Sequence, residues 1–188
     1  MSGNLAASTG ADGLSSINIL TQSPMAATSH APARTSVLFV CLGNICRSPL
    51  AEGVFRHLVE EAGLSDQFEI DSAGTGSWHV GERPDARSIL VAEQHGFGLD
   101  SRGRQVRPAD FADFDYIIAM DRDNLFTLER MGEEEGSDAL IQLLRSYEDE
   151  PDSDEVPDPY YGGASGFENV YKMVRRSCTG LLHRLRAA

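Results

Sequence analysis

Cysteine is scarce in this chain and lysine almost absent. Three cysteines among 188 residues cannot make a disulfide framework, so an apolar core must hold the fold. Free thiols fit a reducing compartment, and the cytoplasm is the expected location. Lys172 is the single lysine, and acidic residues outnumber basic ones to give a net charge of −13. A phosphate backbone is captured by clustered cations, so nucleic acid is excluded as a partner. Residues 1–33 contain neither lysine nor arginine and no continuous apolar stretch, so neither a signal peptide nor a membrane anchor is expected. Zinc ligands are missing too. Besides Cys41 and Cys46 there is only Cys178, and no histidine pair has ligand spacing; no metal and no cofactor are expected.

The length suits one domain with a substantial core. Residues 1–34, rich in Ala, Ser, Thr and Gly, read as a disordered N-terminal extension, or as sequence upstream of a start at Met25. The folded domain is then 35–188. Within it, the patterning predicts strands at 36–40, 68–72, 116–120 and 139–144, the last with a helical alternative from Ile141 to Leu144. Helices are predicted over 48–62, with Leu50, Val54, Phe55, Leu58 and Val59 on one face, over 85–95 with Gly96 closing it, and from Asp121 or Asp123 onward. A last helix, 166–185, aligns Phe167, Val170, Tyr171, Val174, Cys178, Leu181 and Leu185. Strands alternating with helices make βαβ units, hence an α/β fold with a parallel sheet. Two acidic runs, 132–136 and 147–155, read as solvated loops.

The most informative stretch is Val40-Cys41-Leu42-Gly43-Asn44-Ile45-Cys46-Arg47-Ser48-Pro49. It runs from an apolar strand into a helix and sets a cysteine and an arginine six positions apart. Open parallel sheets bind ligands at the carboxyl ends of their strands, and Cys41 sits at such an end. Backbone N–H groups of the loop, from Leu42 through Gly43, Asn44 and Ile45 to Cys46, together with the Arg47 fork, suit a tetrahedral anion. The same field favours a thiolate, the nucleophilic form of a cysteine. Ser48-Pro49, with Glu52 in the first turn, reads as a helix start, with Ser48 as N-cap, as a donor to the Cys41 sulfur, or as both. Asn44 suits a position of positive φ.

This run resembles the signature loop of the low-molecular-weight protein tyrosine phosphatases. Asp158-Pro159-Tyr160-Tyr161-Gly162 is similar to that family's general-acid loop, and the segments Asp71 to Thr75 and Phe114 to Asp121 match in order and spacing. The resemblance covers about residues 36 to 186. It implies a single-domain, doubly wound, flavodoxin-like sheet of order 2-1-3-4 with helices on both faces. It also implies hydrolysis of phosphotyrosine or small aryl phosphates, with inorganic phosphate as product. Cys41 would be the nucleophile, Arg47 the grip on the transferring group and Asp158 the general acid and base. By the same resemblance Ser72 and Asn44 belong to a network bracing the loop, and Leu42, Ile45, Trp78, Tyr160 and Tyr161 form an aromatic slot. Ser101 departs from the pattern, standing where many members have a histidine, which puts the network in doubt there.

Cys46 reads as a core residue or, as the resemblance implies, as a resolving thiol for an oxidised Cys41. His79 reads as a surface histidine. Two related activities remain as alternatives. Arsenate reduction needs a cysteine relay that Cys178 alone would have to supply, and the arginine phosphatases tend to carry threonine where Ile45 stands.

Overall fold

The computed structural model describes residues 34–187, so the reading of the N-terminal extension, Met25 included, lies outside the described residues apart from Arg34. Four parallel strands form one sheet in the order β2-β1-β3-β4. They are β1 (Thr35–Cys41), β2 (Phe68–Gly74), β3 (Tyr116–Ala119) and β4 (Leu140–Leu143). The helices are α1 (Arg47–Glu61), α2 (Ala86–Gln94), α3 (Asp110–Asp113), α4 (Arg122–Glu135) and α5 (Ala164–Arg186). The doubly wound order 2-1-3-4 is therefore observed.

Strands buried on both faces explain the unbroken apolar run of β1. Val37 and Phe39 join α1, α2 and α5 in one cluster, while Leu38 and Val40 meet Phe111 of α3 and Leu128 of α4 on the opposite face. Phe39 packs edge-on against Phe55 with ring centroids 5.6 Å apart. Each such side chain withdrawn from water contributes about 1.5–3 kcal/mol. Asp121 caps α4 by accepting from the Asn124 N–H, and Gly136 ends that helix with φ +64°.

Three expectations are corrected. The helix after the loop begins at Arg47, with Cys46 at the N-cap, so Ser48 lies inside the first turn, Pro49 is not its first residue and Glu52 falls beyond that turn. The acidic run 132–136 is the end of α4 and its cap rather than a loop. The run 147–155 is not simply solvated. Arg145, 1% exposed, gathers Glu148 at 3.1 Å and Asp152 at 2.5 Å, Arg176 binds Glu148 at 2.6 Å, and Arg122 pairs with Asp154. The fourth strand takes the extended alternative and then turns into a 3-10 segment, Leu144–Tyr147.

Candidate active site

The site grows from the carboxyl end of β1, where Cys41 ends the strand and the chain turns through Leu42–Cys46 into α1. Asn44 makes that turn with φ +55°, the left-handed region in which asparagine is tolerated. Its backbone N–H points back at the Cys41 sulfur, 3.3 Å away. Neighbouring backbone holds the loop from outside, with the Thr75 N–H on Cys41 O at 2.9 Å, Gly76 on Leu42 O at 2.8 Å and Asp85 on Ile45 O at 2.7 Å. Gly74 makes this approach feasible, since a Cβ there would sit 2.9 Å from the Leu42 carbonyl oxygen.

Behind the sulfur lies a hydrogen-bond chain. Ser48 Oγ is 3.0 Å from Cys41 Sγ, and Asn44 Nδ2 donates to both Ser48 and Ser72 at 2.9 Å. Ser72 Oγ in turn donates to Glu52 Oε2 at 2.7 Å. The network reaches Glu52 without Ser101, which lines a cavity of about 220 Å³ next to it.

In front of the sulfur stands Arg47, 3% exposed. Its guanidinium donates to Asp121 at 2.6 Å, to the Val156 carbonyl at 3.1 Å and to Asp158 at 3.4 Å. Burial opposes that charge, but Cys41, Asp121 and Asp158 around it prevail and push the Arg47 pKa above its ordinary value. Burial raises the Cys46 thiol to about 12, with Asp85 and Cys41 adding to the effect. Cys46 is thus a neutral thiol at physiological pH. Cys178 is wholly buried in α5, and burial raises its pKa as well.

A cavity of about 270 Å³ opens over the loop, and Cys41, Leu42, Gly43, Ile45, Cys46, Arg47, Trp78, Asp158, Tyr160 and Tyr161 all line it. The structure thus brings together the loop, the carboxylate and the aromatics, while Ser48 and Ser72 stand behind the loop. The aromatics form a rim more than a closed slot, with Trp78 71% and Tyr161 96% exposed. Tyr160 and Tyr161 meet edge-on at 5.1 Å. Asp158 sits at the mouth, its Oδ1 accepting from the Tyr160 N–H at 3.0 Å.

Sequence reasoning missed three participants. Asp121 was visible as a helix start and as the end of a matching segment but was given no part in the site, although its place just past the end of β3 pointed there. His79 is a surface histidine as expected, but it also lines the cavity, and its Nδ1 pairs with Glu82 at 2.7 Å. Glu52 appeared as a first-turn acid and is instead 7% exposed and part of the network.

At the carboxyl end of a parallel α/β sheet, a cysteine, an arginine and a carboxylate thus line one cavity beside a helix N-terminus, an arrangement suited to binding an anion. The family model for low molecular weight phosphotyrosine protein phosphatase matches residues 36–188. A low molecular weight protein-tyrosine-phosphatase of Streptomyces coelicolor is 49% identical over 152 residues, 80% of this chain and 93% of that protein. Among solved structures, a protein tyrosine phosphatase of Entamoeba histolytica with Hepes in its active site is 39% identical. It superposes with a TM-score of 0.76 over 81% of this chain and 97% of that one. A Drosophila arginine phosphatase is 42% identical, with a TM-score of 0.76 over 79% and 96%. The chain belongs to the low-molecular-weight protein tyrosine phosphatase family.

Proposed function

We propose that this protein hydrolyses phosphotyrosine in proteins, and small aryl phosphates, through a cysteinyl-phosphate intermediate on Cys41. The observation that carries the reading is that Cys41, Arg47 and Asp158 line one cavity, with the Arg47 guanidinium 3.4 Å from the Asp158 carboxylate. Cys41 attacks phosphorus in line while the loop N–H groups and Arg47 hold the equatorial oxygens, over which charge spreads in a loose transition state. Asp158 gives its proton to the departing phenolate. It then takes a proton from the water that attacks the thiophosphate, releasing inorganic phosphate and Cys41. Ser48, 3.0 Å from the sulfur, supports the thiolate by donating to it. The exposed aromatic rim favours a flat aryl ester that reaches the floor, where a short serine ester would not.

Cys46, on the same tight loop, serves as the resolving thiol when peroxide oxidises Cys41. The protein works in the cytoplasm; among the described residues no helix is long and apolar enough to cross a membrane. Ile45 offers no hydroxyl to assist attack on a phosphorus–nitrogen bond, and Cys178 is fully buried within the helix α5, where arsenate reduction would need a relay cysteine on a mobile segment. Phosphotyrosyl, phosphoseryl and phosphoarginyl peptides at equal concentration test the reading. Phosphotyrosine should be released fastest, and Cys41→Ser should abolish its release. Faster release from phosphoarginine, or a Cys41→Ser variant within about tenfold of the parent, which is about 1.4 kcal/mol of barrier, would overturn it.

A further inference from the structure

The hydrogen-bond chain behind Cys41 does not end in the core. Glu52 Oε2 accepts from Ser72, and Glu52 Oε1 accepts from Arg56 Nη2 at 2.8 Å. The Arg56 guanidinium, on the outer side of α1 and 47% exposed, also donates to the Ile70 carbonyl of β2 at 2.6 Å. An unbroken path of polar contacts thus joins a surface arginine to the sulfur.

The direction of each bond follows from what each group can do. A carboxylate paired with a guanidinium only accepts. The single Ser72 proton therefore goes to Glu52, and Ser72 Oγ must accept from Asn44 Nδ2. The Arg104 N–H donates to Asn44 Oδ1 at 2.9 Å, so the amide is fixed from both ends. Its second Nδ2 proton falls on Ser48 Oγ, which leaves the Ser48 proton for Cys41 Sγ at 3.0 Å or the Ala73 carbonyl at 3.2 Å. Glu52 also borders the 220 Å³ cavity that Arg56, Leu99 and Ser101 help to line. Without the guanidinium the carboxylate has that space to turn into, away from Ser72.

We propose that Arg56 is a positioning residue for Cys41: by holding Glu52 it orients Ser72, Asn44 and Ser48 so that the Ser48 hydroxyl faces the sulfur as a donor. The inference rests on Cys41 being the nucleophile.

The test uses the full chain with Arg56→Gln, Arg56→Lys, Glu52→Gln and the Arg56→Gln/Glu52→Gln pair. Two rates are read at neutral pH. One is alkylation of Cys41 by iodoacetamide, located by mass spectrometry, and the other is turnover of p-nitrophenyl phosphate. Arg56→Gln should slow alkylation and kcat together by about tenfold, the scale of one lost charge-assisted hydrogen bond, with KM little changed. Arg56→Lys keeps the charge and should recover most of the loss. The double variant should be no slower than Glu52→Gln alone, because both changes break the same chain. Unchanged alkylation in Arg56→Gln, equal losses in the Lys and Gln variants, or additive losses in the pair would each overturn the proposal. Should Arg56→Gln fail to fold, Glu52→Gln alone decides, since it must slow alkylation. Alkylation reads Cys41 directly, so a Cys41→Ser variant that still turned over substrate would remove the nucleophile reading without touching this measurement.

Discussion

Arg47 meets more of the site's charge than any other side chain, touching Asp121, Asp158 and the Val156 carbonyl from a nearly buried position. The planar fork is what allows three directions at once; an ammonium is a point charge with no such geometry. Arg47→Lys should lower kcat by about 10²–10³-fold, the usual cost of removing a transition-state donor. A rise in KM alone would make Arg47 a ground-state binder. Cys46 poses a different question, because burial raises its thiol to about 12. It does not compete for the nucleophile's role, and it is slow to attack. In the proposed redox cycle, peroxide turns the Cys41 thiolate into a sulfenic acid with release of hydroxide, and the Cys46 thiol then forms the disulfide as water leaves. Peroxide-treated protein should regain activity with dithiothreitol, and Cys46→Ser should regain far less. Equal recovery would return Cys46 to a packing role.

The element that delivers Asp158 is a long loop, and its anchors are distributed along it. Arg145 holds Asp152, Val156 is buried and bonded to Met120 O at 2.8 Å, and Arg87 donates to the carbonyls of Tyr160 and Gly162. Asp158 is therefore presented by backbone fixed on both sides of it. Asp158→Ala should slow phenyl phosphate by about 10²–10⁴-fold, the range of general acid catalysis, and p-nitrophenyl phosphate much less in the step that releases phenolate. Equal slowing of both esters would reduce Asp158 to a loop-shaping residue. The strands, the long helices and the cysteine loop were legible because period and turn chemistry are local. The start of α1 was misread because Ser48 spends its hydroxyl on Cys41 and Asn44 rather than on a cap. The anchors of the acid loop were out of reach for a different reason. Arg176 and Glu148 are 28 positions apart and Arg122 and Asp154 are 32 apart, and charge patterning along a sequence carries no sign of such pairs.

At the scale of the whole molecule, a chain of net charge −13 must manage its own repulsion, and several carboxylates do so by ion pairing. Burial works against the charge of Glu148, but hydrogen bonds from Arg176 and Arg145 outweigh it and hold its pKa below the ordinary value. Arg145 does the same for Asp152 and Arg87 for Asp85. Carboxyls depressed in the folded state lend stability that is full above their unfolded pKa, about 4, and is lost as pH falls through their lower folded values. The urea midpoint should therefore drop as pH is lowered from about 6 to about 3. Arg145→Met should be less stable at neutral pH and show a shallower drop, and an unchanged slope would mean that these pairs add nothing.

The most direct measurement is rapid-quench mass spectrometry of the enzyme during turnover of p-nitrophenyl phosphate, with and without Asp158→Ala. On the proposed mechanism Asp158 is the base for hydrolysis of the thiophosphate, so the variant should accumulate phosphate on the peptide that carries Cys41, and Cys41→Ser should carry none. Turnover with no phosphate on the protein at any time, or with phosphate on another residue, would contradict the cysteinyl-phosphate mechanism.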